Sequence, residues 1–246
     1  MSDPIAMPST PATSASEMST AETLTGVFFE PSRTFESLRE RPRFLVAGLI
    51  LVVLAVIATV VLYMRVDMGQ VIRDTIERSP NAAQATEAQK DMQVRAGKIV
   101  GAVVRPAVVP LMIAGGAALY MLGVMAVGGA ISYKKAVSVW TYSWLPPFVL
   151  GVLIAVLVLF LKSPDSIDPE QIAVTNPGAL LGEGSSKVLV AVLSQLDLLR
   201  FYGLFLAALG LRKVAKISSG QAWAVVLSLF LIVALLRIGA AVVFGR

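Results

Sequence analysis

The stretch FLVAGLILVVLAVIATVVLYM, residues 44–64, contains no charged side chain. An α-helix rises 1.5 Å per residue, so a stretch of this length spans about 30 Å, the thickness of the hydrocarbon core of a bilayer. Further apolar stretches of comparable length follow at 107–131, 142–161, 188–211 and 221–243. The sequence therefore predicts five transmembrane helices.

The overall composition agrees with a membrane protein. Hydrophobic residues make up 56% of the 246 residues, and the mean hydropathy is +0.77. A soluble protein with unusually apolar core helices is the alternative, but such helices rarely run without charge for about 20 residues. We expect an all-α polytopic bundle over residues 44–246, with short amphipathic interfacial helices and a helical hairpin outside the membrane.

The chain contains neither cysteine nor histidine. This excludes zinc sites built on those residues, the helical HExxH protease motif, and any serine or cysteine nucleophile activated by histidine. An intramembrane protease with two carboxylates is not expected, because it would need two aspartates in predicted spans and Asp197 is the one present. The sequence therefore predicts a protein that is not an enzyme, with no cofactor and no metal site.

Two segments precede the first predicted span. Residues 1–22 are rich in Ser, Thr, Ala and Pro without apolar periodicity, which predicts a disordered tail. Residues 23–43 can form two short amphipathic helices whose polar side carries Arg33, Arg39, Arg41 and Arg43. This segment either lies in the headgroup region, with its arginines against lipid phosphate, or packs as a cap on the protein's own helices.

The distribution of lysine and arginine predicts the orientation. The loops 132–136 and 212–219 contain basic residues and no acid, whereas the loop 162–187 carries four acids and two lysines. The positive-inside rule therefore places the N-terminus in the cytoplasm and the C-terminus outside. Six basic residues in the loop 65–98, on the other side, count against this orientation. That loop is expected to form the helical hairpin.

The fourth predicted span contains charged residues. Its uncharged part, Phe201 to Leu211, covers eleven residues, or about 17 Å, which is too short to cross a bilayer. The span must therefore extend towards its N-terminal side, and this extension carries Asp197 and Arg200 into the hydrocarbon region.

Two further arginines lie at similar levels. Arg237 is enclosed in the fifth predicted span, and Arg105 enters the second, where its side chain could also extend outwards to the interface. We expect Asp197 to pair with Arg237, with Arg200 or with both, because an unpaired charge at this depth costs at least ~2.5 kcal/mol. The cluster is either a structural ion pair between helices, or a site whose excess positive charge holds an anionic lipid headgroup or a small anion.

The third predicted span begins with WTYSWLPP, residues 140–147. The pair Pro146 and Pro147 removes two backbone donors, so we expect a kink near Tyr142. The freed carbonyls need partners, from Ser143 or Tyr142, or they line a wet cavity. A kink with such a cavity would indicate a substrate path.

The succession of motifs resembles a known family. It comprises GVFFEPSRTFESLRERPRF, SYKKAVSVWTYSWLPPF, the NPG turn, and LDLLRFYGLFLAALGLRKVAKISSGQAWAVVLSLFLIVALL. This order is similar to the prokaryotic branch of the Yip family, five-span proteins named for eukaryotic relatives that interact with Ypt/Rab GTPases. The resemblance covers residues 23–243. The matching framework positions are Pro31, Phe35, Tyr142, Pro146, Asp197 and Gly210.

The resemblance implies an integral membrane protein with a cytoplasmic N-terminus and no catalytic centre. The eukaryotic relatives act in vesicle traffic and membrane shaping. The Asp-Leu-Tyr-Gly-Pro motif that they carry before the membrane domain is missing from this chain, so Rab-type GTPase binding is not expected here.

Two hypotheses for function follow. The first is a non-enzymatic membrane protein that organises lipid or partner proteins, using the amphipathic segment and the basic loops as contact surfaces. The second is a small-molecule or ion transporter or channel that uses a kinked third span and the Arg/Asp cluster. The expected partners are membrane lipid and either another membrane protein or a second copy of the chain, with no nucleic acid.

Overall fold

The computed structural model describes residues 18–79, 82–163, 167, 175–181 and 185–244. Within these residues the chain is helical, and no strand is present. The α-helices are α1 (Thr20–Phe29), α2 (Pro31–Glu40), α3 (Leu45–Arg65), α4 (Met68–Glu77), α5 (Glu87–Ala126), α6 (Tyr133–Leu161), α7 (Lys187–Leu193), α8 (Leu198–Ala215) and α9 (Ser219–Phe244). The predicted all-α bundle is confirmed.

Four of these helices, α3, α5, α6 and α9, are each long and apolar enough to cross a membrane. The bent pair α7 and α8 meets the same length and composition criteria when its two helices are taken together, which gives a fifth candidate span. Between 17% and 28% of the most apolar window of each of the four helices is buried inside the protein. The remaining apolar surface faces outwards, as expected for helices whose solvent is lipid.

The N-terminal helices begin earlier than predicted. Met18 is buried, and the Ser19 hydroxyl accepts a hydrogen bond from the Glu22 backbone N–H at 3.2 Å. The Glu22 carboxylate in turn accepts from the Ser19 backbone N–H, which completes a capping box for α1. The predicted tail over 1–22 is therefore wrong for residues 18–22. Residues 1–17 lie outside the described residues.

The helices α1 and α2 pack against α6 and α8. Val27, Phe35 and Leu38, the apolar face of this pair, are fully buried. A Cβ atom at Gly210 of α8 would lie 2.8 Å from the Phe35 ring, so glycine is required for this close approach. The amphipathic segment is thus a cap on the protein's own helices, the second of the two predicted arrangements.

The second span differs most from its predicted bounds of 107–131. α5 begins at Glu87, 20 residues earlier, and its 40 residues extend for about 60 Å. The Tyr63 hydroxyl near the end of α3 donates to the Lys98 carbonyl at 3.0 Å, so α5 continues well beyond α3. Its first turns pack against α4, where Arg73 pairs with Asp91. These two helices form the predicted hairpin.

α6 runs from Tyr133 to Leu161, nine residues longer at its start than the predicted span at 142–161. It continues as a single helix through Pro146 and Pro147. At its other end, the Arg65 side chain of α3 donates from Nε to the Leu159 carbonyl at 2.9 Å. A guanidinium at a helix C-terminus satisfies a free carbonyl and complements the helix dipole.

The fourth span, predicted as one helix over 188–211, is broken. α7 and α8 are bent by 44° at the four residues Ser194–Asp197. α8 then packs against α6 on one side and α9 on the other, where the Phe201 and Phe230 rings lie 6.1 Å apart. The chain therefore breaks between α7 and α8, whereas α6 is continuous through its two prolines.

Candidate functional site at the broken fourth span

The break places several polar groups at the junction of α7 and α8. The Ser194 hydroxyl donates to the Val190 carbonyl at 2.7 Å, and the buried Gln195 side chain donates to the Ala191 carbonyl at 2.9 Å. Asp197 is the N-cap of α8, and its Oδ1 accepts from the Arg200 backbone N–H at 2.9 Å. Gln195 and Asp197 thereby satisfy backbone groups that a break in apolar surroundings would leave unpaired, whereas the Val190 carbonyl also accepts from the Ser194 backbone N–H.

A segment from the preceding loop, residues 175–181, packs into the break. The Thr175 hydroxyl donates to Asp197 Oδ2 at 2.7 Å, and the Leu198 backbone N–H donates to the Thr175 carbonyl at 3.3 Å. A Cβ atom at Gly178 would lie 2.9 Å from the Ser194 hydroxyl oxygen and 3.2 Å from the Val190 carbonyl oxygen. The NPG turn therefore needs its glycine, because the turn rests directly on α7.

Asp197 forms no ion pair with an arginine among the described residues, contrary to the prediction. Its two carboxylate oxygens accept hydrogen bonds from Thr175 and from the backbone of Arg200 instead. The reason is the break, which puts Asp197 before the first turn of α8 rather than in the middle of a continuous helix. A carboxylate in that position is stabilised by the free N–H groups and by the helix dipole.

The two arginines of the cluster have different surroundings. Arg200 is partly buried, and its Nη1 donates to the Gln195 side-chain oxygen at 2.6 Å. Arg237 is exposed on α9 and lies close enough to Arg200 for the two cations to repel each other. Among the described residues Arg237 has no hydrogen-bonding or ion-pair partner. The site therefore carries two cations and one carboxylate.

Arg105, the fourth predicted member, is exposed on α5. The side chain of a helical residue leans towards the helix N-terminus, and for α5 that end projects beyond α3. Arg105 can therefore extend towards the interface, the alternative that the sequence left open.

The candidate kink residues are part of the core. Pro146 and Pro147 are buried, and the Tyr142 hydroxyl donates to Thr23 Oγ1 of α1 at 3.4 Å. The Ser143 hydroxyl donates to the Val139 carbonyl at 2.7 Å. Neither Ser143 nor Tyr142 donates to a carbonyl that the prolines set free. The hydroxyl groups expected from the sequence to bond these carbonyls therefore have other acceptors.

The predicted lipid-contact arginines lie at one end of the bundle with the basic loops. Arg33 pairs with Glu30 at 3.1 Å, and Arg43 Nη1 donates to the Met18 carbonyl and to Thr20 Oγ1, both at 3.2 Å. We call this region the basic end. Its cations are Arg33, Arg39, Arg41, Arg43, Lys134, Lys135, Arg212, Lys213 and Lys216, and its acids are Glu22, Glu30, Glu36 and Glu40.

Charge interactions connect α2 with the start of α6 and with the end of α8. The hydrogen bond and charge of Arg39 lower the pKa of Glu40, and the charges of Lys135 and Lys216 add to this effect. Lys213 pairs with Glu36 at 2.5 Å, which joins α8 to α2. α2, the start of α6 and the end of α8 therefore form one continuous cationic surface.

Two cavities lie outside the broken span. A groove of about 670 Å³ separates the first turns of α3 and α6 from α5, with Lys134 and Tyr133 among its lining residues. A smaller cavity of about 300 Å³ lies at the junction of α3 and α4, around Arg65 and Asp67. Among the residues that the structure describes, no group of three or more Asp, Glu, His or Cys side chains could hold a metal ion.

Two comparisons with known proteins gave matches over most of the chain. The family model described as the Yip1 domain matches residues 25–241. Membrane protein YknW of Bacillus subtilis (strain 168) is 26% identical over 209 residues, which cover 84% of this chain and 84% of that relative. No solved structure matches at a significant level.

Proposed function

Because the chain belongs to the Yip1-domain family of multi-pass membrane proteins, we propose that it is a non-enzymatic protein that organises anionic phospholipid at its basic end. The observation that supports this proposal is the cationic surface formed by α2 and the basic loops. It combines nine lysines and arginines with four glutamates. Each cation near an anionic membrane surface contributes about 1 kcal/mol to attraction.

The basic end is proposed to lie in the cytoplasm, which puts the N-terminus inside and the C-terminus outside a bacterial cytoplasmic membrane. The positive-inside rule favours this orientation, and anionic lipid in the cytoplasmic leaflet complements the surface. The apolar face of α1 and α2 is buried against α6 and α8. This cap is therefore proposed to attract headgroups by charge, without inserting an apolar face between lipids.

The experiment compares lipid preference before and after removal of charge at the basic end. The protein is reconstituted in nanodiscs that contain equal amounts of phosphatidylglycerol and phosphatidylcholine, and the retained lipid is measured by mass spectrometry. The variant carries Lys134→Gln, Lys135→Gln and Arg212→Gln. We expect its preference for phosphatidylglycerol to fall about tenfold or more, because three cations of about 1 kcal/mol each are removed.

The matched control removes three exposed cations from the opposite end, through Arg78→Gln, Arg95→Gln and Lys98→Gln. Its lipid preference should stay near that of the unchanged protein. Equal loss in both triple variants would mean that only net charge matters, and no loss in the basic-end variant would overturn the proposal. The preference should also weaken at high salt, since exposed charges are screened.

The second candidate function is transport, which the broken fourth span favours. Discontinuous helices with ionisable residues at membrane depth form the substrate sites of many transporters. The two cavities described above are lined by other residues than those at the break. Chloride and proton flux into proteoliposomes tests this candidate, and flux that is lost in Arg200→Gln would favour transport over lipid organisation.

A further inference from the structure

Arg200 and Arg237 lie on two neighbouring antiparallel helices, and their charges act on each other. α8 runs from the break to the basic end, and α9 returns from the basic end, with Phe201 packed on Phe230. Arg200 is next to Phe201, whereas Arg237 is seven residues beyond Phe230, or about 10 Å further along the axis. Because helical side chains lean towards the helix N-terminus, the two guanidinium groups approach a common level.

One carboxylate serves this pair of cations, so one positive charge is left over. Asp197 acts electrostatically on Arg200, and its two oxygens accept hydrogen bonds from Thr175 and from the Arg200 backbone. Arg237 lies among exposed apolar residues of α9, including Leu235 and Leu236, and within the described residues it has no partner. A cation in such apolar surroundings is costly unless an anion meets it. An anion from outside the chain would balance the charge.

The arrangement also orients one of the two arginines. The bond from Arg200 Nη1 to Gln195 holds that guanidinium at the break, and the Gln195 side chain is itself fixed to Ala191. The planar guanidinium presents several N–H donors in a fork that matches phosphate oxygens.

We propose that Arg200 and Arg237 together bind one phosphate group, carried by the headgroup of an anionic lipid in the leaflet opposite the basic end. The lipid is the source because Arg237 opens onto the apolar outer surface of α9, where acyl chains lie. This site is separate from the basic end and does not depend on the function proposed above.

The experiment uses the absence of cysteine from the chain. A single cysteine introduced by Val233→Cys, at an exposed position one turn before Arg237, carries a donor fluorophore. The protein is placed in phosphatidylcholine nanodiscs and titrated with phosphatidylglycerol that carries an acceptor on one acyl chain. We expect saturable energy transfer at this position. Arg200→Gln and Arg237→Gln should each weaken the apparent affinity about tenfold or more, the effect of losing charge-assisted hydrogen bonds.

Arg105→Gln is the matched control, since Arg105 is an exposed arginine on another helix. Its affinity should stay within twofold of the unchanged protein. Arg237→Lys keeps the positive charge but loses the planar guanidinium, so we expect an intermediate loss of affinity for the labelled lipid. This variant also provides the test if Arg237→Gln does not fold. Unchanged affinity in both Arg237 variants would overturn the proposal, as would an equal loss in Arg105→Gln.

Inorganic phosphate at millimolar concentration distinguishes the two sources of the anion. Failure of inorganic phosphate to displace the labelled lipid supports a lipid site, whereas complete displacement would show a site for free phosphate and overturn the lipid assignment. A second protein with Leu45→Cys carries the donor at the basic end instead. Energy transfer to this donor measures lipid binding at the basic end. The proposal for the basic end and the proposal for the phosphate site can therefore be tested separately.

Discussion

Thr175 and Asp197 are joined by a hydrogen bond of 2.7 Å from the threonine hydroxyl to the aspartate carboxylate, across 22 positions of sequence. The bond attaches the loop before α7 to the residue that begins α8. Asp197 therefore has two roles, since it caps a helix and it anchors the loop that covers the break. Its position in the fold explains why this aspartate is present in an apolar span.

Two replacements of Asp197 distinguish its hydrogen-bonding roles from the effect of its negative charge. Asp197→Ala removes the cap and the acceptor of Thr175, and we expect a loss of about 1 to 2 kcal/mol in the free energy of unfolding. Asp197→Asn keeps an oxygen at the cap and should lose less than half of that. Thermal unfolding in detergent measures both. Equal stability of the two variants would contradict the capping role.

Gly178 provides a test of the loop contact. A methyl group at this position would meet Ser194 and the Val190 backbone at 2.9 and 3.2 Å, so Gly178→Ala should destabilise the protein by about 1 to 3 kcal/mol. The control is Gly115→Ala on α5, where nothing lies within 4 Å. That change should be neutral or stabilising, since alanine favours helix by up to about 1 kcal/mol. Similar melting temperatures for both variants would contradict this packing.

The sequence predicted the four long membrane-crossing helices α3, α5, α6 and α9 because uncharged apolar stretches of about 20 residues are rare outside membrane helices. It did not reveal the break, although the signal was present. Ser194 and Asp197 are typical of helix ends, yet the short uncharged stretch after Phe201 favoured a longer continuous helix. The hydrogen bond from Thr175 could not have been predicted, because it depends on how a distant loop folds back.

The surroundings of the three arginines likewise could not be predicted from the sequence alone. Sequence position suggested that Arg105, Arg200 and Arg237 lie at similar depths, but depth does not decide which face of a helix carries a side chain. The packing of α5 leaves Arg105 exposed, whereas Arg200 is partly buried. For residues 23–43 the sequence left two arrangements open, and the choice depended on whether α6 and α8 offered a matching surface, which Gly210 does.

Lys216 ends α8 in a left-handed conformation, with φ of 54°. A side chain with a Cβ atom is strained there, whereas glycine adopts this conformation readily. Lys216→Gly should therefore raise the free energy of unfolding by about 0.5 to 1 kcal/mol, measured by thermal unfolding. Lys135→Gly removes a cation of the same surface from inside a helix and should destabilise instead.

A charge exchange between Asp197 and Arg237 tests whether the two residues interact directly. If they formed an ion pair, the double variant Asp197→Arg with Arg237→Asp would recover the stability that each single change removes. The structure gives Asp197 other partners, so we expect no recovery. The double variant should be destabilised by about the sum of the two single effects, within roughly 0.5 kcal/mol, as for sites without a shared contact. Recovery of more than half of the loss would restore the ion pair that the sequence suggested, and it would remove the unpaired arginine from which the phosphate site is inferred.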